Sequence, residues 1–176
     1  MSGHNKWTQI KRQKGKTDAE KSKIFSKYAK LIGQQAKKAK GSLDDPSLKA
    51  AIEKAKSFNM PNENIERAIK KATENNTAAL ETITYESYGP GGSALIIEAL
   101  TDNRNKAAQE IKFILSKHGF SLAGIGSVTW AFEKTHEGWR PTTSIELGEE
   151  DIALLEKLIG DLESNDEVQE VFTNAE

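Results

Sequence analysis

The sequence predicts an α+β protein with an N-terminal three-helix domain that carries a basic arm, followed by a ferredoxin-like α/β domain with one extra N-terminal strand. Three observations predict this arrangement. Apolar residues recur with helical spacing before residue 75, and strand-like alternation appears only after it. Lys and Arg are concentrated in the first part of the chain, whereas Asp and Glu are concentrated in the second. The length of 176 residues allows one large or two small domains.

The first segment, residues 1–17, contains two glycines and no apolar stripe, so it is predicted to form an arm. A basic tail of this kind can be a solvated segment, but here it also carries Trp7, which can either stack on a base or dock on the helices. We predict that the arm contacts nucleic acid through one aromatic residue and its basic neighbours. These residues are His4, Lys6, Trp7, Lys11, Arg12, Lys14 and Lys16.

Residues 18–76 are predicted to form a helical nucleic-acid-binding domain. The first helix is expected from about Asp18 to Lys40, the second begins at Asp45 and Pro46 as cap and first residue, and the third follows Pro61. We find no helix-turn-helix with a recognition helix of groove size here. The first helix has an apolar stripe of Ile24, Tyr28, Leu31, Ile32, Gln35 and Ala39, and a second stripe of Lys23, Lys27, Lys30, Gln34 and Lys37, whose lysines are predicted to bind nucleic acid.

Residues 80–176 are predicted to form the second domain. Strands are expected around 83–85 and 94–97, joined by a glycine-rich turn at 89–92, and later at 127–133, 142–147 and 168–173. Helices are expected from an Asp102 or Asn103 cap to a stop at 118–119, and over 149–162. Without its first strand, the order is β-α-β-β-α-β, which is typical of the ferredoxin-like fold.

Charge divides the chain more sharply than its net value of −1 indicates. Residues 1–75 carry 18 Lys and Arg against 8 Asp and Glu, a net charge of +10, whereas residues 76–176 carry 7 against 18, a net charge of −11. Such asymmetry indicates a segment that meets phosphate and an acidic remainder that resists non-specific binding to polyanions.

Composition excludes several other classes of protein. The absence of cysteine rules out disulfides and thiolate sites, and no stretch reaches the roughly 20 apolar residues of a membrane helix. No apolar run near the start resembles a signal peptide, so a cytoplasmic location is expected. The three histidines lack metal-ligand spacing, and we predict no metal, no cofactor and no enzymatic activity. An alternative of another class is a small-ligand protein or enzyme that uses the loops from Asp102 to Asn105 and from Gly119 to Gly126.

Several short strings together resemble the YebC family, which includes a mitochondrial translational activator. They are GHNKW at 3–7, KIFSK at 23–27, NMP at 59–61, IERAIKK at 65–71, YGPGG at 88–92, LTDNRN at 100–105, SKHG at 116–119 and VFTNAE at 171–176. This chain is shorter than usual members, because it lacks a third domain inserted near residue 133, and its loop after residue 119 departs from the family's usual sequence.

The resemblance implies a cytosolic, non-enzymatic regulator that binds nucleic acid. The family has been assigned both promoter DNA binding and action on ribosomes, including relief of stalling at proline-rich stretches. We favour the translational role, with rRNA and the ribosome as partner, because an arm joined to a lysine stripe suits irregular, phosphate-dense RNA. Duplex DNA, bound by a transcriptional regulator, is the alternative partner.

Overall fold

A computed structural model describes residues 17–74 and 79–176. The chain divides into two compact units, of which one holds the three N-terminal helices and the other holds the sheets. The α+β class, with a helical region followed by a sheet region, is confirmed. Within the described ranges, no helix is long and apolar enough to span a bilayer.

The helical unit contains α1 (Asp18–Lys38), α2 (Pro46–Ser57) and α3 (Asn62–Glu74). The cap predicted for α2 is confirmed, because the Asp45 carboxylate accepts the backbone N–H of Leu48 at 2.9 Å and Pro46 is the first helical residue. Each helix is short, so its stability depends on burying its apolar face against the other two.

Among the residues that the structure describes, the core of this unit consists of side chains from the three helices and their connections. On α1, Tyr28, Ile32 and Ala36 follow the i, i+4, i+8 spacing and are buried. Their partners from the rest of the unit are Leu48, Ala51, Ala55, Met60 and Ile65. The buried stripe of α1 is therefore shifted by about one residue toward the C-terminus relative to the predicted stripe. Ile24, Leu31 and Ala39, which were predicted to belong to the stripe, are only partly buried against this cluster.

In the described part of the chain, the sheet unit has five strands and two longer helices. They are β1 (Glu81–Tyr88), β2 (Ala94–Thr101), α4 (Arg104–Lys117), β3 (Phe132–Thr135), β4 (Gly138–Pro141), α5 (Glu149–Ser164) and β5 (Val168–Thr173). One antiparallel sheet has the order β1-β2-β5, and β3 pairs with β4 in a second sheet. The glycine-rich turn at 89–92 joins β1 to β2, as predicted.

The predicted β-α-β-β-α-β order from residue 94 is present along the chain, but it does not form one ferredoxin-like sheet. The extra first strand, β1, pairs along its whole length with β2, from Glu81 opposite Thr101 to Tyr88 opposite Ala94. It therefore occupies one side of β2, while β5 occupies the other. The β3 and β4 strands are only four residues each and pair with each other.

Two strand predictions are wrong in detail. The segment 127–133 forms a turn and a short 3-10 helix and becomes strand only at Phe132, because the N–H groups of Val128 and Thr129 bond to a carboxylate and not to a neighbouring strand. The segment 142–147 has no strand ladder. It contributes one parallel bridge, between Ile145 and Ala175.

The two faces of β2 are covered by different elements. Ile96 and its cross-strand neighbour Phe172 pack with Val128 and Phe132 on one face, close to the β3–β4 hairpin. Strand alternation places the odd-numbered residues of β2 on the opposite face, and α4 and α5 contact β2 and β5 respectively. The sheet is thus buried on both sides, which explains why almost every residue of β2 is buried.

Candidate nucleic-acid interface

The four predicted lysines of the helical unit all lie on α1. Lys23, Lys27, Lys30 and Lys37 recur at intervals of four, three and seven residues, which keeps them on one stripe of the helix. Lys23 and Lys37 are exposed, whereas Lys27 and Lys30 are half-buried. With a rise of 1.5 Å per residue, the stripe extends about 21 Å along the helix axis.

Gln34, which was predicted to continue the lysine stripe, is buried instead. Its side-chain amide donates to the backbone carbonyl of Leu80 at 3.2 Å, so the segment that leaves the helical unit covers this part of α1. The sequence pattern could not show this, because Gln34 and Leu80 are far apart in the chain. The stripe therefore has three lysines on one side of Gln34 and Lys37 on the other.

The remaining predicted contacts lie in the arm, outside the described residues. They are His4, Lys6, Trp7, Lys11, Arg12, Lys14 and Lys16. Their role in binding stays a prediction.

The connection between α2 and α3 resembles a helix-turn-helix, which was not predicted from the sequence. A four-residue connection joins α2 to α3, and Asn59 within it has a φ of 64°. This spacing is found in helix-turn-helix motifs. The second helix exposes Arg67, Lys70 and Lys71, but its N-terminal half also exposes acidic side chains at Glu63 and Glu66.

The loop at 102–105 uses its polar groups within the fold. The Asn103 side chain accepts the N–H of Lys106 and caps α4, as predicted. The guanidinium of Arg104 donates two hydrogen bonds to the Glu81 carboxylate, at 2.8 and 2.6 Å. The hydrogen bond with Arg104 lowers the pKa of Glu81. This arrangement joins α4 to the start of β1 and gives no support to a ligand site.

The loop that begins at Gly119, here called the anchored loop (residues 119–131), is held by the end of β1. The buried Glu86 carboxylate accepts the backbone N–H groups of Gly126 at 2.8 Å, Val128 at 2.8 Å and Thr129 at 3.1 Å. Burial alone raises the pKa of Glu86, but the three N–H groups favour the charged form and bring the pKa below its ordinary value. The Glu86 backbone carbonyl also accepts the N–H of Ala123 at 2.8 Å.

The anchored loop exposes Ile125 and Trp130 and β1 exposes Tyr88, and these three large side chains are here called the apolar patch. Ile125 is fully exposed, Trp130 is 64% exposed and Tyr88 is 45% exposed. The Tyr88 hydroxyl and the Trp130 indole N–H both donate to the carbonyl of Ser127, each at 2.8 Å. Tyr88 points to the same face of β1 as Glu86, two residues earlier. The sequence pattern predicts Trp130 within a strand, so this patch was not predicted.

A further contact joins the two helices of the sheet unit. The His118 ring nitrogen Nε2 lies 2.7 Å from the Asp161 carboxylate, and the His118 side chain is largely buried. It links the C-terminal end of α4 to α5. The serines near this pair, Ser116 and Ser164, each donate to a backbone carbonyl of their own helix, so they do not align with it as a nucleophile would.

Comparison with known families matches most of the chain. A family model described as the TACO1/YebC protein N-terminal domain matches residues 5–75, and one described as the TACO1/YebC second and third domain matches residues 80–137. The second match stops within the short connection between β3 and β4. This is close to the position at which the sequence analysis expects a third domain to be missing.

Individual relatives agree with these matches. A "Probable transcriptional regulatory protein Teth39_1009" from Thermoanaerobacter pseudethanolicus is 39% identical over 239 aligned positions, which cover all of this chain and 97% of the relative. The alignment is longer than this chain, so the relative has segments that this chain lacks. A "Probable transcriptional regulatory protein" from Thermotoga petrophila is 51% identical over 136 residues, and the match covers 76% of this chain and 54% of the relative.

A solved structure supports the same fold. The crystal structure of a conserved hypothetical protein, Aq1575 from Aquifex aeolicus, superposes with a TM-score of 0.75 at 30% sequence identity. The superposition covers 92% of this chain and 93% of that chain.

Proposed function

This chain belongs to the TACO1/YebC family, and on that premise we propose that it is a non-enzymatic, nucleic-acid-binding regulator of gene expression that acts in translation, on the ribosome and its RNA. The observation that carries the proposal is the lysine stripe on α1, in a unit where positive charge is concentrated. The relatives are called transcriptional regulatory proteins, which supports a regulatory role.

The lysine stripe is suited to binding phosphates. A stripe of about 21 Å can follow several phosphates of one strand, and each lysine that contacts a phosphate releases condensed counterions. Such contacts give affinity that falls with salt and carry no sequence information by themselves. The arm, with Trp7 among basic residues, is proposed to add stacking on an unpaired base to these phosphate contacts.

The α2–α3 pair supports the alternative, a DNA-binding transcriptional regulator, because its connection has the length of a helix-turn-helix. In that motif the N-terminal residues of the second helix contact base edges. Here Glu63 and Glu66 lie in that half of α3 and would repel the phosphates that flank the groove. The charge pattern of α3 therefore favours the RNA proposal.

Binding to purified ribosomes and to sheared genomic DNA, measured on the full chain over a range of salt concentrations, tests the proposal. We expect binding to ribosomes, with log Kd linear in log salt. Each Lys→Ala change at Lys23, Lys27, Lys30 or Lys37 is expected to reduce that slope by about one. Lys71→Ala, on the exposed face of α3, is the matched control and is expected to leave ribosome binding unchanged.

Two results would contradict the proposal. Ribosome affinity that does not change with salt would show that the α1 lysines are only solvated. A specific duplex DNA site bound far more tightly than any RNA, and weakened by Lys71→Ala but not by Lys23→Ala, would establish the transcriptional alternative.

A further inference from the structure

The anchored loop differs from the rest of the chain in its composition. Residues 119–132 contain no charged side chain, although 29% of the whole chain is charged. The loop nevertheless stands at the surface and exposes Ile125 and Trp130, with Tyr88 of β1 beside them. Water disfavours exposed apolar groups of this size, and a rigid loop that keeps them exposed indicates a contact surface.

The apolar patch is held in place before any partner binds. Glu86 fixes the backbone of the loop through three N–H groups, and Ser87 adds a hydrogen bond to the carbonyl of Ser121 at 3.1 Å. The polar atoms of Tyr88 and Trp130 are both satisfied by the Ser127 carbonyl. What the two rings offer to a partner is therefore their apolar faces, with little rotamer entropy left to lose on binding.

We propose that the apolar patch stacks on unpaired bases of RNA, as a second contact in addition to the phosphate-binding lysines. The inference rests on the proposed function, because it requires an RNA partner. Stacking on a base needs an exposed aromatic ring and no hydrogen-bond readout, and Tyr88 and Trp130 are exposed rings whose polar atoms are already bonded. Stacking on one or two bases needs no more surface than these rings offer, whereas a stable protein interface takes about 20 to 30 residues a side.

The charge around the apolar patch determines how its affinity depends on salt. Residues 76–176 carry a net charge of −11, so we expect little phosphate affinity from the sheet unit, but the loop itself has no carboxylate that would repel the backbone of a bound strand. The patch therefore contributes affinity that does not depend on salt, whereas the α1 lysines contribute affinity that does. The salt dependence of binding therefore distinguishes the apolar patch from the α1 lysines in an experiment.

The test uses the full chain and an end-labelled single-stranded oligoribonucleotide of about 20 nucleotides, a length that exceeds the site sizes of stacking proteins. A blunt duplex of the same RNA strand is the second probe. We expect Trp130→Ala to weaken single-strand binding about tenfold, with the salt slope unchanged and duplex binding little affected. Tyr88→Leu, which removes a ring but keeps an apolar side chain, is expected to act in the same direction.

Two controls separate stacking from folding. Trp130→Phe keeps a ring but loses the hydrogen bond to Ser127, so it is expected to retain most of the affinity. Phe113→Ala removes an aromatic residue that is equally exposed, at 65%, on α4 of the same unit, and is expected to change nothing. Thermal melting of each variant identifies any loss of affinity that comes from unfolding.

The outcomes distinguish this inference from the proposed function. If the unaltered chain binds RNA and Trp130→Ala and Tyr88→Leu bind equally well, the inference is wrong and the proposed function stands. An equal loss on duplex and single-stranded RNA, or a loss of the same size in Phe113→Ala, also overturns the inference. If the unaltered chain binds neither probe nor ribosomes, the proposed function fails and the inference fails with it.

Discussion

Glu86 shows how one buried residue decides the conformation of a whole segment. Its place in β1, opposite Ile96, directs its carboxylate to the face of the sheet that the anchored loop covers. There it accepts three backbone N–H groups that a strand would have used for pairing. Backbone N–H groups satisfy the buried charged acceptor in this way, which offsets the cost of its burial.

We expect Glu86→Gln to lower the free energy of unfolding by about 2 to 3 kcal/mol near neutral pH, because the charged acceptor is lost and the new amide N–H₂ meets backbone donors. The folded-state pKa of Glu86 lies below its unfolded value, so its stabilisation is fully present above the unfolded pKa and disappears as pH falls through the folded pKa. The difference between the two proteins should therefore shrink in acid. Urea unfolding at neutral and acidic pH measures it.

Glu133→Gln provides the control for this prediction. Glu133 is an exposed carboxylate in the same unit and pairs with Arg140 at the surface, so its loss should cost less than about 1 kcal/mol. Similar losses in both variants, or a loss in Glu86→Gln that does not depend on pH, would count against the role assigned to Glu86.

At the scale of elements, the sequence predicts the regular structures well wherever the signal is local. The bounds of α1 to α5 follow from apolar spacing and from caps such as Asp45 and Asn103, which act within three residues. The segments 127–131 and 142–147 were wrongly predicted as strands, since a partner strand is a long-range feature. Val128, Trp130 and Phe132 alternate in the sequence as in a strand, but Trp130 lies in a short 3-10 helix and is exposed.

The turn between β1 and β2 gives a prediction at this scale. Gly91 and Gly92 both have positive φ, at 65° and 79°. An Ala at either position is therefore strained by its left-handed backbone conformation, at a cost of about 1 to 2 kcal/mol. A Cβ on Gly91 would also lie 2.6 Å from Leu147 Cδ2 and 2.9 Å from Asp151 Oδ2, whereas one on Gly92 meets only Ile145 Cδ1 at 4.0 Å.

Gly91→Ala is therefore expected to destabilise the protein by about 1 kcal/mol more than Gly92→Ala, because the side chains of Leu147 and Asp151 must move. Chemical denaturation of the two variants compares them directly, with the unaltered chain as reference. Equal destabilisation would show that these side chains move aside at no cost and that backbone strain alone sets the effect.

At the scale of the molecule, the division of charge along the chain can be predicted from the sequence. The two candidate surfaces, the lysine stripe and the apolar patch, can be predicted only in part. The lysine stripe follows from spacing on one helix, so sequence alone places Lys23 and Lys37 together. The covering of Gln34 by Leu80 depends on how the chain leaves the helical unit. The apolar patch depends on a hydrogen bond between residues on different elements, Tyr88 and Ser127, for which the sequence has no local signal.

The division of charge leads to the last prediction, made on fragments 1–80 and 81–176. Cutting after Leu80 keeps its hydrogen bond with Gln34 and leaves the core of the helical unit complete. Residues 76–80 are uncharged, so the fragments carry net charges of +10 and −11. We expect the first fragment to bind rRNA with the salt slope of the full chain, because that slope counts phosphate contacts.

The acidic fragment should show no measurable affinity of its own for rRNA or duplex DNA. A stacking contact worth about tenfold in affinity cannot hold a polyanion against a net charge of −11 without the lysines. Circular dichroism of fragment 1–80 establishes that it is helical before binding is measured. If the acidic fragment bound RNA as tightly as the full chain, phosphate recognition would lie outside the helical unit. If fragment 1–80 had a smaller salt slope than the full chain, part of the phosphate recognition would lie in residues 81–176.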